Sequence, residues 1–291
     1  MTVTCFTVSY LPTPGIAMTP KTVIITGAAS GIGKHWANAL LARGDAYHLA
    51  LADVNIDGLR AAFTESETLR LHALDVRFVE QWRAVVDDTL RRFGRIDYLF
   101  NIAGGGRPAF FLDQPLENFD WVLDVNLKGA LLGMRLVGEV MRKQGSGHII
   151  NVASLAGLSP TPGNALYSAA KGGLRNASLA AAIEWRRFGV SVTVISPDLV
   201  DTPIMQRHLE SGGEEVALTY TGALLTVHDL ERAFWRAMRH KPLEINLPRW
   251  RGWLTKLNHA CPALMRVLYE PMKRRGMRRL ARIRRERGIP E

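Results

Sequence analysis

The chain has 291 residues, of which 47% are hydrophobic, and this is enough apolar surface for the core of one large α/β domain. Its formal net charge is +10, and the segment 266–291 alone holds ten Lys and Arg against three acidic residues. The composition excludes a repeat array or a disordered scaffold, and there is no apolar run of the roughly eighteen residues that a membrane-spanning helix needs.

The two ends of the chain are expected to lie outside the catalytic domain. Residues 1–17 hold no Lys or Arg. A secretory signal requires a positively charged residue ahead of its apolar stretch. We therefore interpret residues 1–19 as a flexible extension, with Met18 as an alternative start. Residues 20–250 are predicted to form the single folded domain, and residues 251–291 an apolar and basic extension. The two cysteines, Cys5 and Cys261, indicate a reducing, cytoplasmic setting with no metal site.

Short apolar strands alternate with amphipathic helices up to Pro197, which is typical of repeated βαβ units. Strands are predicted at 22–26, 47–52, 69–73, 98–101, 148–152, 191–196 and 243–247. Helices are predicted at 34–43, 79–93, 119–144, 165–188 and 227–240. With right-handed crossovers, these elements give an α/β fold, a Rossmann-like, doubly wound parallel sheet in a single domain. A basic helical extension follows it.

A glycine-rich loop, TGAASGIG at 26–33, follows the first predicted strand. Glycines there allow a tight turn and a close approach of the backbone to a pyrophosphate, whose charge the start of the next helix attracts. The alternative interpretation is a tight turn with no ligand.

Asp53 ends the second predicted strand, twenty positions after Gly33. A carboxylate there accepts hydrogen bonds from an adenosine ribose and repels a 2′-phosphate, which favours NAD(H) over NADP(H). Two alternatives stay open: Asp53 caps the turn 55–58, or Lys34 and Arg60 bind a 2′-phosphate.

Three polar residues form a candidate catalytic group. Tyr167 and Lys171 lie one helical turn apart, so the ammonium is expected to lower the pKa of the phenol. Ser154 follows the fifth predicted strand, at the carboxyl edge of the sheet where ligands of such folds bind. Its hydroxyl can hold a substrate oxygen.

Together these motifs resemble the short-chain dehydrogenase/reductase family in its compact single-domain form, over about residues 21–202. The matching segments are TGAASGIG at 26–33, LDV at 74–76, NIAG at 101–104, Asn126 in VNLKG, Ser154, and YSAAK at 167–171. The resemblance implies an oxidoreductase in which hydride passes between nicotinamide and substrate.

The resemblance also implies roles for individual residues. Tyr167 exchanges a proton with the substrate oxygen, Ser154 orients that oxygen, Lys171 binds the nicotinamide ribose, and Asn126 holds a water that leads to Lys171. The expected cofactor-binding residues are Gly27, Ser30, Gly31, Ile32, Gly33, Asp53, Asp75, Val76, Asn101, Ala103, Gly104, Tyr167, Lys171, Pro197, Val200 and Thr202.

The sequence departs from the family pattern at two positions. Ile102 replaces an Asn, with little expected effect. Asp198 follows Pro197 where the family commonly has Gly, and its negative charge is expected to disturb the loop beside the cofactor. Val200 and Thr202 are still expected to contact the nicotinamide carboxamide.

The residues after Thr202 are expected to select the substrate. The loop 202–226 is rich in Leu, Met and Val and has no cation cluster, which favours an apolar alcohol or carbonyl compound. Core packing is the alternative role for these side chains. The long helices indicate a homodimer or homotetramer.

The C-terminal segment suits peripheral contact with an anionic membrane, and a solvated tail is the alternative. No specific binding of nucleic acid is expected. Two rival functions are an NAD-binding sensor on the same fold and a membrane-associated scaffold.

Overall fold

The computed structural model describes residues 19–290. Cys5, Met18 and nearly all of the predicted extension 1–19 lie outside the described residues. Seven parallel strands form the main sheet, in the order β3-β2-β1-β4-β5-β6-β9. Their bounds are β1 Lys21–Thr26, β2 Tyr47–Asp53, β3 Leu69–Ala73, β4 Tyr98–Asn101, β5 Gly147–Val152, β6 Val190–Pro197 and β9 Glu244–Leu247. Two short strands, β7 Leu199–Val200 and β8 Leu224–Leu225, pair separately.

Ten helices accompany the sheet in the described part of the chain. They are α1 Gly31–Leu41, α2 Ile56–Ala62, α3 Val79–Phe93, α4 Glu117–Leu123, α5 Gly129–Gln144, α6 Ala165–Trp185, α7 Pro203–Ser211, α8 Val227–His240, α9 Arg249–Ala260 and α10 Ala263–Glu286. A π-helical turn, Asp124–Lys128, joins α4 to α5, and a 3-10 helix spans Glu214–Thr221.

The strands are apolar on both faces because helices cover both sides of the sheet. Trp36 of α1 and Phe234 of α8 pack on one face with Val23 and Ile25 of β1. Ile24 faces the other side, where Trp82 of α3 and residues of α5 and α6 form a second cluster. The predicted Rossmann-like fold is confirmed, with both bounds of all seven predicted strands within one residue of prediction.

Glycines end several helices at the predicted places. Gly94, Gly145 and Gly189 adopt left-handed backbone conformations after α3, α5 and the turn that follows α6. The predicted single helix 119–144 is wrong in one respect, since the π-helical turn divides it. The loop 202–226, expected to select the substrate, contains α7 and the 3-10 helix Glu214–Thr221.

The C-terminal segment folds back on the domain. Leu280 and Ile283 of α10 are buried with Met205 and Leu209 of α7 and Tyr220. Gly276 permits this close approach, because a Cβ there would come within 1.9 Å of the Ala217 carbonyl oxygen. The interpretation of this segment as a solvated tail is therefore wrong.

Pro271 lies inside α10 and does not end the helix. Packing on α7 and on the 3-10 helix holds α10 together across the proline, although proline removes one helical hydrogen bond. Within residues 19–290, no helix is both long enough and apolar enough to cross a bilayer.

Candidate active site

The glycine-rich loop lies between β1 and α1 and forms one wall of a cleft. A Cβ on Gly33 would lie 2.1 Å from the Gly27 carbonyl oxygen, so only glycine fits where the loop meets α1. Gly27 has a φ of +72° and packs on Ala103. Thr26 Oγ1 accepts hydrogen bonds from the backbone N–H groups of Ile102 and Ala103 at 3.1 Å. The start of α1 therefore faces an open cleft of about 280 Å³.

Asp53 lies in this cleft at the end of β2. Its Oδ2 accepts the Ala29 N–H at 2.9 Å, which ties the acid to the glycine loop. Its Oδ1 accepts the Asn55 N–H, also at 2.9 Å. Asn55 rather than Asp53 caps α2, because the Asn55 side chain accepts the Gly58 N–H. The structure thus combines the two interpretations of Asp53, a turn-forming residue that also lines the cleft.

The cleft contains most of the predicted cofactor-binding residues, but Asn101 is an exception. Asp75 and Val76 lie along the cleft, and Asp75 is paired with Arg77 at 2.6 Å. These hydrogen bonds from Arg77 lower the pKa of Asp75. Asn101 is buried and donates to Asn151 Oδ1 at 2.8 Å. The Asn101 amide therefore joins β4 to β5 inside the core, and contact of this residue with the cofactor stays a prediction.

The three candidate catalytic residues come together at the carboxyl ends of β5 and β6. Ser154 begins a 3-10 turn after β5, and its Oγ accepts the Ala156 N–H at 3.2 Å. Tyr167 and Lys171 lie on α6, and the Lys171 Nζ is 5.7 Å from the centre of the Tyr167 ring. The same Nζ donates to the Val152 carbonyl at 2.9 Å. All three side chains line one cavity of about 290 Å³.

Burial controls the protonation of this group. It raises the pKa of Tyr167 to about 12, against a smaller lowering by a hydrogen bond with Ser154. In the protein alone, loss of hydration therefore decides the direction, and the pKa of Tyr167 is raised where a lowering by Lys171 was expected. Burial also lowers the pKa of Lys171 to about 8. At neutral pH the phenol is protonated and can donate a proton.

Asn126 lies in the π-helical turn between α4 and α5, as expected of a residue that interrupts its helix. Its Nδ2 donates to the Gly105 carbonyl at 2.8 Å and to the Val122 carbonyl at 2.9 Å, and its Oδ1 accepts the Gly105 N–H at 3.1 Å. A Cβ on Gly104 would come within 2.9 Å of Asn126 Oδ1 and 3.2 Å of Lys171 Nζ. Asn126 therefore shapes the loop that borders Lys171.

Asp198 lines the cavity that contains Tyr167, and its carboxylate is held there by neighbouring groups. Its Oδ2 accepts the Arg251 guanidinium at 3.0 Å and the Ala223 N–H at 2.8 Å. The two side chains of this ion pair are only 9% and 13% exposed. The carboxylate joins the end of β6 to the turn before β8 and to α9, and its expected effect on the loop beside the cofactor stays a prediction. Pro197, Val200 and Thr202 still line the cavity.

The cavity is mostly apolar and is roofed by the C-terminal helices. Leu254 and Asn258 of α9 and Met265, Leu268 and Met272 of α10 line it. The cavity shares wall residues with the cofactor cleft, so the two form one continuous space. The shared residues are Ile32, Ile102, Gly104, Thr202 and Ile204.

His208 is a polar exception that the sequence did not reveal. It lies on α7 and lines the cavity, and neither ring nitrogen has a hydrogen-bond partner among the described residues although both are buried. Burial lowers its pKa, so the ring is neutral at pH 7. A buried imidazole without partners is costly. In the sequence, His208 lies between Met205 and Leu209, and this position does not tell whether its side chain faces a cavity or the core.

Comparison with known proteins places the chain in a family. Residues 21–212 match the model of the short chain dehydrogenase family. Levodione reductase of Leifsonia aquatica is 35% identical over 205 residues, which cover 68% of this chain and 76% of that protein. A 3-oxoacyl-[acyl-carrier-protein] reductase of Synechocystis sp. is 35% identical over 196 residues, covering 65% and 78%.

The fold supports the same relationship. The structure of a short chain dehydrogenase/reductase from Burkholderia phymatum in complex with NAD has a TM-score of 0.72 and 26% identity. The alignment covers 86% of this chain and 97% of that one. This chain belongs to the short chain dehydrogenase family and is an oxidoreductase.

Proposed function

We propose that this oxidoreductase uses NAD(H) to interconvert a lipid-like or secondary alcohol and its carbonyl compound. The observation that carries the proposal is the continuous space in which the cofactor cleft meets Ser154, Tyr167 and Lys171. An NAD-binding sensor or a scaffold would need no such convergence of acid, orienting hydroxyl and buried ammonium. Both rivals are less favoured for that reason.

The cleft suits a dinucleotide in shape and charge. Gly27 and Gly33 leave the backbone of the loop open where side chains would fill it, and the start of α1 attracts a pyrophosphate. When bound, nicotinamide supplies or accepts the hydride. We assign pyrophosphate contact to 27–33 and nicotinamide contact to Pro197, Val200 and Thr202.

The catalytic roles follow from the positions of the side chains. The protonated Tyr167 hydroxyl gives its proton to the carbonyl oxygen during reduction, and Ser154 holds that oxygen. Lys171 lies below the Tyr167 ring, where its ammonium stabilises negative charge on the phenol and can bind a ribose hydroxyl. Asn126 is a positioning residue, which holds the Gly104–Gly105 backbone beside Lys171.

Asp53 supports a preference for NAD(H). Its carboxylate is fixed at the end of β2 by the Ala29 and Asn55 N–H groups and faces the cleft. A carboxylate there accepts ribose hydroxyls and repels a 2′-phosphate. Two arginines line the same cleft, Arg77 and Arg207, and Arg77 is paired with Asp75. The relative from Burkholderia phymatum was solved with NAD, which is consistent with this preference.

The cavity supports a substrate that is mainly apolar but has a second polar group. Leu, Met, Ile and Val side chains form most of the wall, and the unpartnered His208 nitrogens suit a hydroxyl or carbonyl of the substrate. A homo-oligomer is also proposed, because Ile183 on the outer face of α6 is 74% exposed.

Replacing Tyr167 with Phe tests the proposal. The variant loses the proton donor and keeps the ring, so turnover of a medium-chain ketone should fall by about 10²–10⁴. NADH affinity, measured by fluorescence, should be unchanged. Tyr98→Phe, a partly buried tyrosine on β4, is the matched control. Turnover of the Tyr167 variant close to that of the wild type would refute the assignment, and a wild type that binds NADH but turns over no alcohol or ketone would favour a sensor.

A further inference from the structure

The outer side of the α9–α10 hairpin is unusually apolar for a solvent-facing surface. Trp250, Trp253 and Leu257 of α9 follow one helical stripe and are 61%, 75% and 58% exposed. Val267, at the start of α10, is 75% exposed. We call these residues, with Leu254 and Leu264, the hairpin patch. Leu254 of α9 and Leu264 of α10 line the same cavity, and exposed apolar side chains gathered around one opening mark an interaction surface.

The hairpin patch also forms the rim of the substrate cavity. Leu254 is 41% exposed and Leu264 is 39% exposed, yet both line the cavity that contains Tyr167. An apolar path therefore leads from the outside of the hairpin to the catalytic group. Whatever covers the hairpin patch also covers the route by which a substrate enters.

A basic stripe continues the hairpin patch along α10. Leu264 and Val267 are followed on the same helical face by Arg274, Arg278, Arg282 and Arg285. Except for Arg282, which lies 3.6 Å from Glu286, these arginines have no ion-pair partner in the described part of the chain. Three other arginines of this segment, Arg279, Arg284 and Arg287, differ because they bind groups of the domain itself.

We propose that the hairpin patch and the basic stripe together dock this protein on an anionic lipid bilayer, with the cavity mouth against the membrane. Trp and Leu side chains enter the interface while the arginines bind lipid head groups. A second copy of the chain is a poorer occupant, because a two-fold contact of this face would bring one basic stripe against another. A nucleic acid would leave Trp253 and Val267 in water.

The docking places an apolar substrate on the path from the bilayer to Tyr167. This part of the proposal rests on the proposed oxidoreductase function, whereas the docking itself does not. A lipid-like alcohol would enter past Leu254 and Leu264 without crossing water. The substrate class is therefore one that partitions into membranes.

Vesicle flotation tests the docking. Wild-type protein should float with phosphatidylcholine vesicles that contain about 30% phosphatidylglycerol at about 0.1 M salt, and much less at about 0.5 M. Arg274→Gln with Arg278→Gln should weaken this binding by at least about tenfold, since each basic residue near the surface contributes about fivefold. Arg83→Gln with Arg91→Gln removes the same charge from α3 and should bind as the wild type does.

A second double variant tests the apolar part of the docking surface, the hairpin patch. Trp253→Ser with Val267→Ser should lose vesicle binding but keep turnover of a short water-soluble ketone, because neither residue lines the cavity. Tyr167→Phe should float like the wild type, so failure of the catalytic proposal is separable from failure of docking. Equal flotation of the α3 and α10 arginine variants, or unchanged flotation of the serine variant, would overturn the proposal. The proposal would also be overturned if the wild type does not float and forms an oligomer that the serine variant disrupts. The hairpin patch would then bind a second copy of the chain.

Discussion

Removing the Asp198 carboxylate should loosen the roof of the active site without disturbing the cofactor cleft. In the structure this carboxylate accepts the Arg251 Nε at 3.0 Å, the Ala223 N–H at 2.8 Å and the Leu199 N–H at 3.1 Å. Asp198→Ala leaves the Arg251 guanidinium, which is only 13% exposed, without its carboxylate. Breaking a buried ion pair from one side costs about 3 kcal/mol or more.

The size of the effect separates this ion pair from an ordinary surface pair. Arg135 and Glu139 form an exposed pair on α5, with side chains 69% and 44% accessible, and Arg135→Ala should cost no more than about 0.5 kcal/mol. Urea unfolding of Asp198→Ala, Arg251→Ala and the double variant gives the coupling energy of the buried pair. We expect a coupling above about 1 kcal/mol.

Enzyme kinetics of Asp198→Ala test whether the ion pair also affects substrate binding. Since Leu254 and Asn258 of α9 line the cavity, loosening α9 should raise KM for a long apolar substrate in Asp198→Ala. The Kd for NADH should stay within about twofold of wild type, a ratio worth less than about 0.5 kcal/mol. A coupling energy near zero, or a large loss of NADH affinity with KM unchanged, would refute the anchoring role and return Asp198 to the cofactor.

Three further predictions concern the cofactor, the buried lysine and assembly. Asp53→Ala should narrow the preference for NADH over NADPH, measured as the ratio of kcat/KM, and a wild type that prefers NADPH would contradict the role of Asp53. Lys171→Met should abolish turnover yet stabilise the cofactor-free protein at pH 7 by up to about 3 kcal/mol, because burial lowers the folded pKa to about 8 from 10.5. The free energy that the wild type loses by burying the Lys171 ammonium grows as pH falls from 10.5 to 8. The free energies of unfolding of the two proteins, measured in urea, should therefore converge at high pH. An equal difference at all pH values would contradict burial of the charge as the cause. Ile183→Glu should reduce the mass of the oligomer in light scattering, and an unchanged mass would exclude the outer face of α6 from the interface.

The fold and the catalytic group were predictable because their signals are local. Each βα unit carries its own alternation of apolar and polar residues, and Gly94, Gly145 and Gly189 mark the ends of their helical segments. The relation of Tyr167 to Lys171 is one helical turn, which sequence spacing states directly. The pKa of Tyr167 was not predictable in this way, since it depends on how much water the folded chain removes from the phenol.

The roof of the cavity was not predictable because its contacts join distant segments. Asp198 and Arg251 are 53 positions apart, and Leu280 packs on Met205 across 75 positions. The cavity-facing residues of α10, Met265, Leu268 and Met272, are followed directly by a run of basic residues, so composition alone suggests a charged tail. Gly276 was the available signal, since a glycine inside a basic helix indicates close packing.

Some basic residues of the C-terminal segment bind the domain, and others face outward. This difference determines which experiment can test the role of α10. Arg284 donates to the carbonyls of Leu209 and Gly212 at 2.7 and 2.5 Å, which caps the end of α7, and Arg287 pairs with Asp201 at 2.6 Å. Deleting the chain after Pro271 would remove these contacts and uncover the cluster around Tyr220, so activity and vesicle binding would be lost together. Substitutions confined to the outward arginines leave that packing intact. Loss of vesicle binding in those variants therefore reports on the membrane surface, whereas loss on truncation reports on the fold of the substrate loop.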